Sequence, residues 1–219
     1  MIFVNFKTYQ EGTGINALHL AQIIEEVSMQ TGIKMYAVVQ PTDIREITKS
    51  TKIEVWSQKI DPVEFGAHTG SILPEAILED GAQGVFINHS EDKLASLDLI
   101  KQSVERATEV GLKTLVFATD TEELKNVLVF KPTFVSYEPA DLVGSTTTSV
   151  SEARPEIIQQ AAEISKASGT PLIVGAGIHS VNDVKKSVEF GAVGIAVATN
   201  IVKAQDPKQA LLDLSQGFI

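Results

Sequence analysis

The sequence predicts an α/β fold in which eight parallel strands close into a (β/α)8 barrel, with residues 1–219 forming one domain. Three observations lead there. Eight short runs rich in β-branched and aromatic residues alternate with eight helical segments along the whole chain. No composition break or linker-like tract interrupts the alternation. The length, 219 residues, falls near the size of one closed barrel of this kind.

The elements follow in order. Strand one is Ile2 to Phe6, and Asn5 and Lys7, two apart, share one side of its end. After Gly12 and Gly14 an amphipathic helix sets Ala17, Leu20, Ile24 and Val27 at helical spacing and stops at Gly32. Strand two is Met35 to Val39, with a short helix after Pro41. Strand three, Ile53 to Gln58, runs into a long loop from Asp61 to Gly70. That loop carries Val63, Phe65 and His68, a composition suited either to docking on a neighbour or to folding back on its own barrel. A helix from Pro74 ends at Gly81.

Strand four, Gly84 to Ile87, ends in Asn88-His89-Ser90-Glu91. Ser90 is the expected N-cap of the next helix, with Glu91 in its first turn, and Leu97, Ile100, Val104 and Ala107 form its apolar face. His89 then stands just before a helix N-terminus, where the dipole favours the neutral imidazole. Strand five is Thr114 to Phe117, followed by a helix from Glu122 to Val129. Strand six, Phe134 to Tyr137, meets Glu138-Pro139, and the proline ends the strand with the carboxylate at its rim. About ten small or polar residues then precede the helix that Pro155 opens, long for an α/β connection and suited to a lid. Strand seven, Leu172 to Val174, leads to Gly175-Ala176-Gly177-Ile178 and a capping box from Ser180 to Asp183. Strand eight, Ile195 to Val197, ends in Ala198-Thr199-Asn200, and Asp206 with Pro207 starts the last helix. The likeness of Gly81–Val85 to Gly191–Ile195 reflects shared turn chemistry rather than a duplication.

Composition narrows the function. There is no cysteine, which excludes disulfides, thiolate catalysis and cysteine-ligated metal. A formal charge of −10 argues against nucleic acid or an anionic membrane as partner. A small anion is still admissible, because local backbone N–H groups and one lysine outweigh a distant field. No apolar run reaches the ~18 residues of a membrane span. The first residues enter a strand without a basic leader, so a cytoplasmic location is expected.

Functional groups of such barrels lie at the C-terminal strand ends. Asn5 and Lys7, His89 and Glu138 all fall there. Gly177 and Ala198-Thr199 add small residues whose amides can approach a ligand. This constellation resembles triosephosphate isomerase in its shorter archaeal form. The resemblance rests on Asn5-Phe6-Lys7-Thr8-Tyr9, Gly66 to Gly70, Asn88 to Glu91, Tyr137-Glu138-Pro139, Gly175 to Ile178 and Gly191 to Ala204, in family order across the chain.

The resemblance implies a TIM barrel that interconverts dihydroxyacetone phosphate and glyceraldehyde 3-phosphate, in glycolysis and gluconeogenesis, without cofactor or metal. It implies Glu138 as the base, His89 as the electrophile, and Lys7 and Asn5 as the groups that hold substrate and stabilise developing charge. Val143, Gly144 and Ser145 would belong to the lid, Gly177, Ala198 and Thr199 would supply phosphate contacts, and Glu91 would orient Lys7. A homo-oligomer, dimer or tetramer, docked partly through the loop from Asp61 to Ile72, is also implied. The lid departs from the family in having Thr146 where a second glycine is usual. Asp92-Lys93 stand where many non-archaeal members have basic residues. An aldolase-like sugar-phosphate enzyme with Lys7 as its reactive amine, or a non-catalytic phosphate-binding barrel, are the alternatives.

Overall fold

The computed structural model describes residues 1–138, 155–175 and 177–219. Eight strands, β1 (Ile2–Asn5), β2 (Met35–Val39), β3 (Glu54–Ser57), β4 (Gly84–Ile87), β5 (Lys113–Ala118), β6 (Phe134–Tyr137), β7 (Leu172–Val174) and β8 (Gly194–Val197), form a closed barrel in sequence order. Every neighbouring pair is parallel, and β8 returns to β1 with Ile2 opposite Ile195. The α/β barrel expected from the alternation is therefore present.

Among the described residues nine α-helices surround it: α1 (Ile15–Thr31), α2 (Ile44–Ser50), α3 (Pro74–Glu79), α4 (Leu97–Val110), α5 (Thr121–Leu128), α6 (Pro155–Ser168), α7 (Val181–Glu189), α8 (Thr199–Val202) and α9 (Pro207–Ser215). Two helices, α8 and α9, follow β8 where one was expected. Local chemistry sets their ends. Gly32 closes α1 in the left-handed conformation with φ 70°, its amide donating to Ser28. The Ser180–Asp183 capping box opens α7, and the Asp206 side chain caps α9 ahead of Pro207.

One expected cap is corrected. Ser96, not Ser90, caps α4, accepting from the Leu99 amide at 3.2 Å. Glu91 is therefore in no helical turn, and residues 89–96 form an irregular connection after β4. The Asn88 side chain holds this connection in place. Its Nδ2 donates to the Phe117 carbonyl at 2.9 Å and to Glu123 at 2.8 Å, while its Oδ1 accepts from the Leu94 amide at 3.0 Å. Serine 90 is thus freed for another task.

The barrel has two cores. Ile, Val, Leu and Ala side chains of the strands' outer faces pack on the helices. Inside, Phe3, Tyr36, Val38, Trp56, Phe86, Leu115, Phe117, Ile173 and Ala196 fill the lumen. Phe3 stacks on Tyr36 at 4.2 Å between centroids, and Phe86 meets Phe117 edge-on at 4.8 Å. Gly84 makes room for this filling, since a Cβ there would lie 2.5 Å from the Trp56 ring. The lumen is packed solid below, so a ligand can enter only above the aromatic layer.

Candidate functional site

Strand geometry carries the inward row one step further up. Side chains alternate, so the residue two beyond an inward position also faces the axis. Phe3 leads to Asn5, Trp56 to Gln58, Ser136 to Glu138, Ile173 to Gly175 and Ala196 to Ala198. The polar and small residues at the strand tips are continuations of the core row, gathered above its aromatic floor. The backbone is anchored to match: the Glu138 amide donates to the Ala118 carbonyl at 2.9 Å and the Gln58 amide to the Val39 carbonyl at 3.0 Å.

A cleft of about 300 Å³ opens there. Asn5, Lys7, His89, Glu138, Gly177, Ala198 and Thr199 all line it, so the structure brings together every described residue expected at the site except Glu91, which stands behind Lys7. Val143, Gly144 and Ser145 lie outside the described residues.

His89 Nε2 and Glu138 Oε2 are 4.0 Å apart. The imidazole packs on the aromatic floor, edge-on to Phe117 at 4.8 Å. Burial holds its pKa down to about 4, so it is neutral at pH 7. The expected neutral imidazole is present, but desolvation by the lumen, not an adjoining helix N-terminus, is the main cause. Glu138 is 4 % exposed, and burial pushes its carboxyl up to about 8, opposed by the hydrogen bond that Ser90 Oγ donates to Oε2 at 3.2 Å. Gly175 lies directly against this carboxyl: a Cβ on Gly175 would come within 2.2 Å of Glu138 Oε1.

Lys7 Nζ pairs with Glu91 Oε1 at 2.6 Å. Its backbone has φ 49°, and Asn88 has φ 61°; two of the three positive-φ non-glycine residues described flank the site. Such backbone persists only where surrounding contacts over-determine it. For Lys7 the contacts are visible. Asn5 Oδ1 accepts from the Lys7 amide at 3.0 Å, and Gln58 Nε2 donates to the Lys7 carbonyl at 2.8 Å. Gln58 is a residue that the sequence analysis did not single out. Its position at a strand tip, two beyond an inward Trp, was the available signal.

Chemically, the cleft offers a carboxyl, a neutral imidazole and an ammonium around one small space, above an apolar aromatic floor. That set suits proton transfer next to a carbonyl, with donors for the oxygen that gains charge. Among the described residues no cluster of His, Cys, Asp and Glu is arranged to hold a metal ion, and no helix is long and apolar enough to cross a membrane.

The chain is also similar to known proteins. The sequence model of one family, triosephosphate isomerase, matches residues 1–216. A triosephosphate isomerase from Metallosphaera sedula is 39 % identical over 220 residues, covering 100 % of this chain and 96 % of its own. Those from Methanothermus fervidus and Methanopyrus kandleri are each 39 % identical, over 216 and 221 residues, covering 98 % and 99 % of this chain and 96 % and 97 % of their own. All three sources are archaeal. The chain belongs to the triosephosphate isomerase family.

Proposed function

We propose that this isomerase interconverts dihydroxyacetone phosphate and glyceraldehyde 3-phosphate through an enediolate, with Glu138 moving the proton between the two carbons. One observation carries the assignment of roles. The Glu138 carboxyl and the His89 imidazole face each other across 4.0 Å in a cleft that Lys7 also lines. The family is itself a standard illustration of a carboxylate base paired with a neutral histidine. Here the ionised form of Glu138, the minority form below a pKa of about 8, takes the proton from one carbon and returns it to the other. His89 donates to the substrate oxygens as a neutral imidazole, and Lys7 and Asn5 stabilise the negative charge that develops there.

Lys7 works as a cation. Its 2.6 Å pair with Glu91 supports this role over that of an amine nucleophile, and so speaks against an aldolase-like Schiff base. Gly177, Ala198 and Thr199 bind the phosphate by carry-over from the family. The protein acts as one barrel domain in the cytoplasm.

It also acts as a homo-oligomer, dimer or tetramer. The loop after β3 is tied at its neck by Asp61 and Ile72, whose backbones pair at 2.9 Å, and by Arg106, which donates to the Val63 carbonyl. Beyond that neck residues 64–71 are exposed, with Phe65 at 76 %. A braced loop with an apolar tip supports docking on a neighbouring copy over folding back.

A coupled assay in deuterium oxide tests the reaction. The expected result is interconversion of the two triose phosphates, with solvent deuterium on the carbon that gains the proton. No interconversion, or isomerisation with no solvent label, overturns the proposal.

A further inference from the structure

The loop after β7 contains a peptide unit held at both of its polar ends. The Ile178 carbonyl accepts from Asn200 Nδ2 at 2.7 Å. The N–H of the same unit, on His179, donates to Asp183 Oδ2 at 3.1 Å. Asp183 is 3 % exposed and is itself immobilised by the capping box, accepting also from the Ser180 amide and hydroxyl at 2.8 Å each. A peptide plane fixed at both oxygen and nitrogen cannot rotate about its flanking bonds. Immediately before it stands Gly177 with φ 63°, a conformation open to glycine and otherwise the softest point of the turn.

The second tie comes from across the cleft. Asn200 belongs to the short helix α8 that follows β8, and its neighbour Thr199 is held in turn by Tyr9, whose hydroxyl lies 3.0 Å from Thr199 Oγ1. Gly177, Ile178, His179, Ala198, Thr199 and Asn200 all line the cleft. One amide side chain therefore joins the two loops that face each other over the ligand space.

We propose that Asn200 is a positioning residue: with Asp183 it locks the Ile178–His179 peptide and so fixes the Gly177 turn against the β8 loop as a preformed cup for the substrate's phosphate. This rests on the isomerase reading of the cleft. A preformed cup binds the anion without first having to order two loops, so its contribution is to affinity. Proton transfer takes place at the other end of the substrate and does not use Asn200.

The test uses Asn200→Ala and the size-matched Asn200→Leu in the full chain. KM and kcat for the triose phosphate are measured with the inhibition constant of inorganic phosphate, and melting temperature reports the fold. Both variants are expected to raise KM and the phosphate inhibition constant together by about 2- to 12-fold, the range for one lost hydrogen bond. The kcat should stay within about twofold and melting within a few degrees. Constants unchanged from the parent overturn the proposal, as does a fall in kcat at constant KM, or a collapse in melting temperature. Phosphate that fails to compete even in the parent removes the isomerase reading of the cleft, and the proposal with it. Competition in the parent with unchanged constants in both variants removes the Asn200 role alone.

Discussion

Gly175→Ala is the smallest change that should disable the site without loosening the barrel. The Gly175 backbone lies outside the left-handed region, so alanine meets no conformational strain there. What it meets is the base. The new Cβ falls 2.2 Å from Glu138 Oε1, 2.9 Å from its Cδ and 2.8 Å from the buried Ser136 Oγ, against a floor of about 3.0 Å for real Cβ contacts. Clearing it requires Glu138 to move by roughly 1 Å, a displacement for which a loss of about 10²-fold in rate is reasonable. The obstructing atoms are side-chain atoms of Glu138 and Ser136 rather than backbone, so stability should fall by only about 1 kcal/mol, the low end of the cost of overpacking. Gly84→Ala makes the natural control. Its Cβ would press on the buried Trp56 ring from 2.5 Å, far from the chemistry, and should cost about 1–3 kcal/mol with the turnover of the folded fraction preserved. Steady-state kinetics and urea unfolding on both variants separate the two effects. Gly175→Ala with kcat/KM within twofold of the parent would refute the inferred closeness of Gly175 to a working base.

Further predictions concern pH, support and assembly. The folded state holds the Glu138 proton up to about pH 8, against 4.5 for an ordinary glutamate, so its burial costs nothing below 4.5 and progressively more as pH rises to 8. His89 runs oppositely: with its pKa held near 4, stability is full above 6.5 and is lost as pH falls toward 4. Glu138→Gln should therefore gain stability over the parent by a few kcal/mol, at most, between about pH 6.5 and 8.5. Urea unfolding at fixed protein concentration checks this, and a pH-independent difference would contradict it. Gln58→Leu removes the donor to the Lys7 carbonyl and should lower kcat/KM by roughly 10-fold, on the scale of one hydrogen bond at about 1.5 kcal/mol; parental kinetics would exclude the brace. Phe65→Glu should dissociate the oligomer in light scattering, and a fully active parental monomer at assay concentration would remove the docking role of the loop.

The barrel was legible because each strand declares its own end. The Glu138-Pro139 pair in the sequence predicts an end just after Tyr137, Gly81 and Gly191 turn helices into strands, and the period-two row from Phe3 to Asn5 predicts which side chains face inward. The relations that make the site work are of another kind. Ser90 reaches Glu138 across 48 positions, Gln58 reaches Lys7 across 51, and Lys7 reaches Glu91 across 84. No local pattern encodes such pairings; they appear when the barrel closes. Ser90 shows the cost of local reasoning. A serine before an acidic residue reads as a helix cap, yet the backbone continues irregularly to Ser96, and the Ser90 hydroxyl turns to the buried carboxyl instead. The neutral state of His89 was foreseen for a reason that fails, since the aromatic floor of Phe86 and Phe117, not a helix end, withdraws it from water. Asn200 was read only as the end of a strand, because its partner, the Ile178 carbonyl, lies 22 residues earlier.

The central claim is that Glu138 is the base, and replacing its carboxyl tests it most directly. Glu138→Asp keeps a carboxyl and withdraws it by about 1 Å, which should cost on the order of 10²-fold in kcat. Glu138→Gln removes basicity and should cost more, up to about 10⁴-fold, with inorganic phosphate still bound and the fold retained. The measurement is kcat of purified, folded Glu138→Gln in the coupled triose phosphate assay. The account predicts a loss of at least about 10²-fold; near-parental turnover would contradict it.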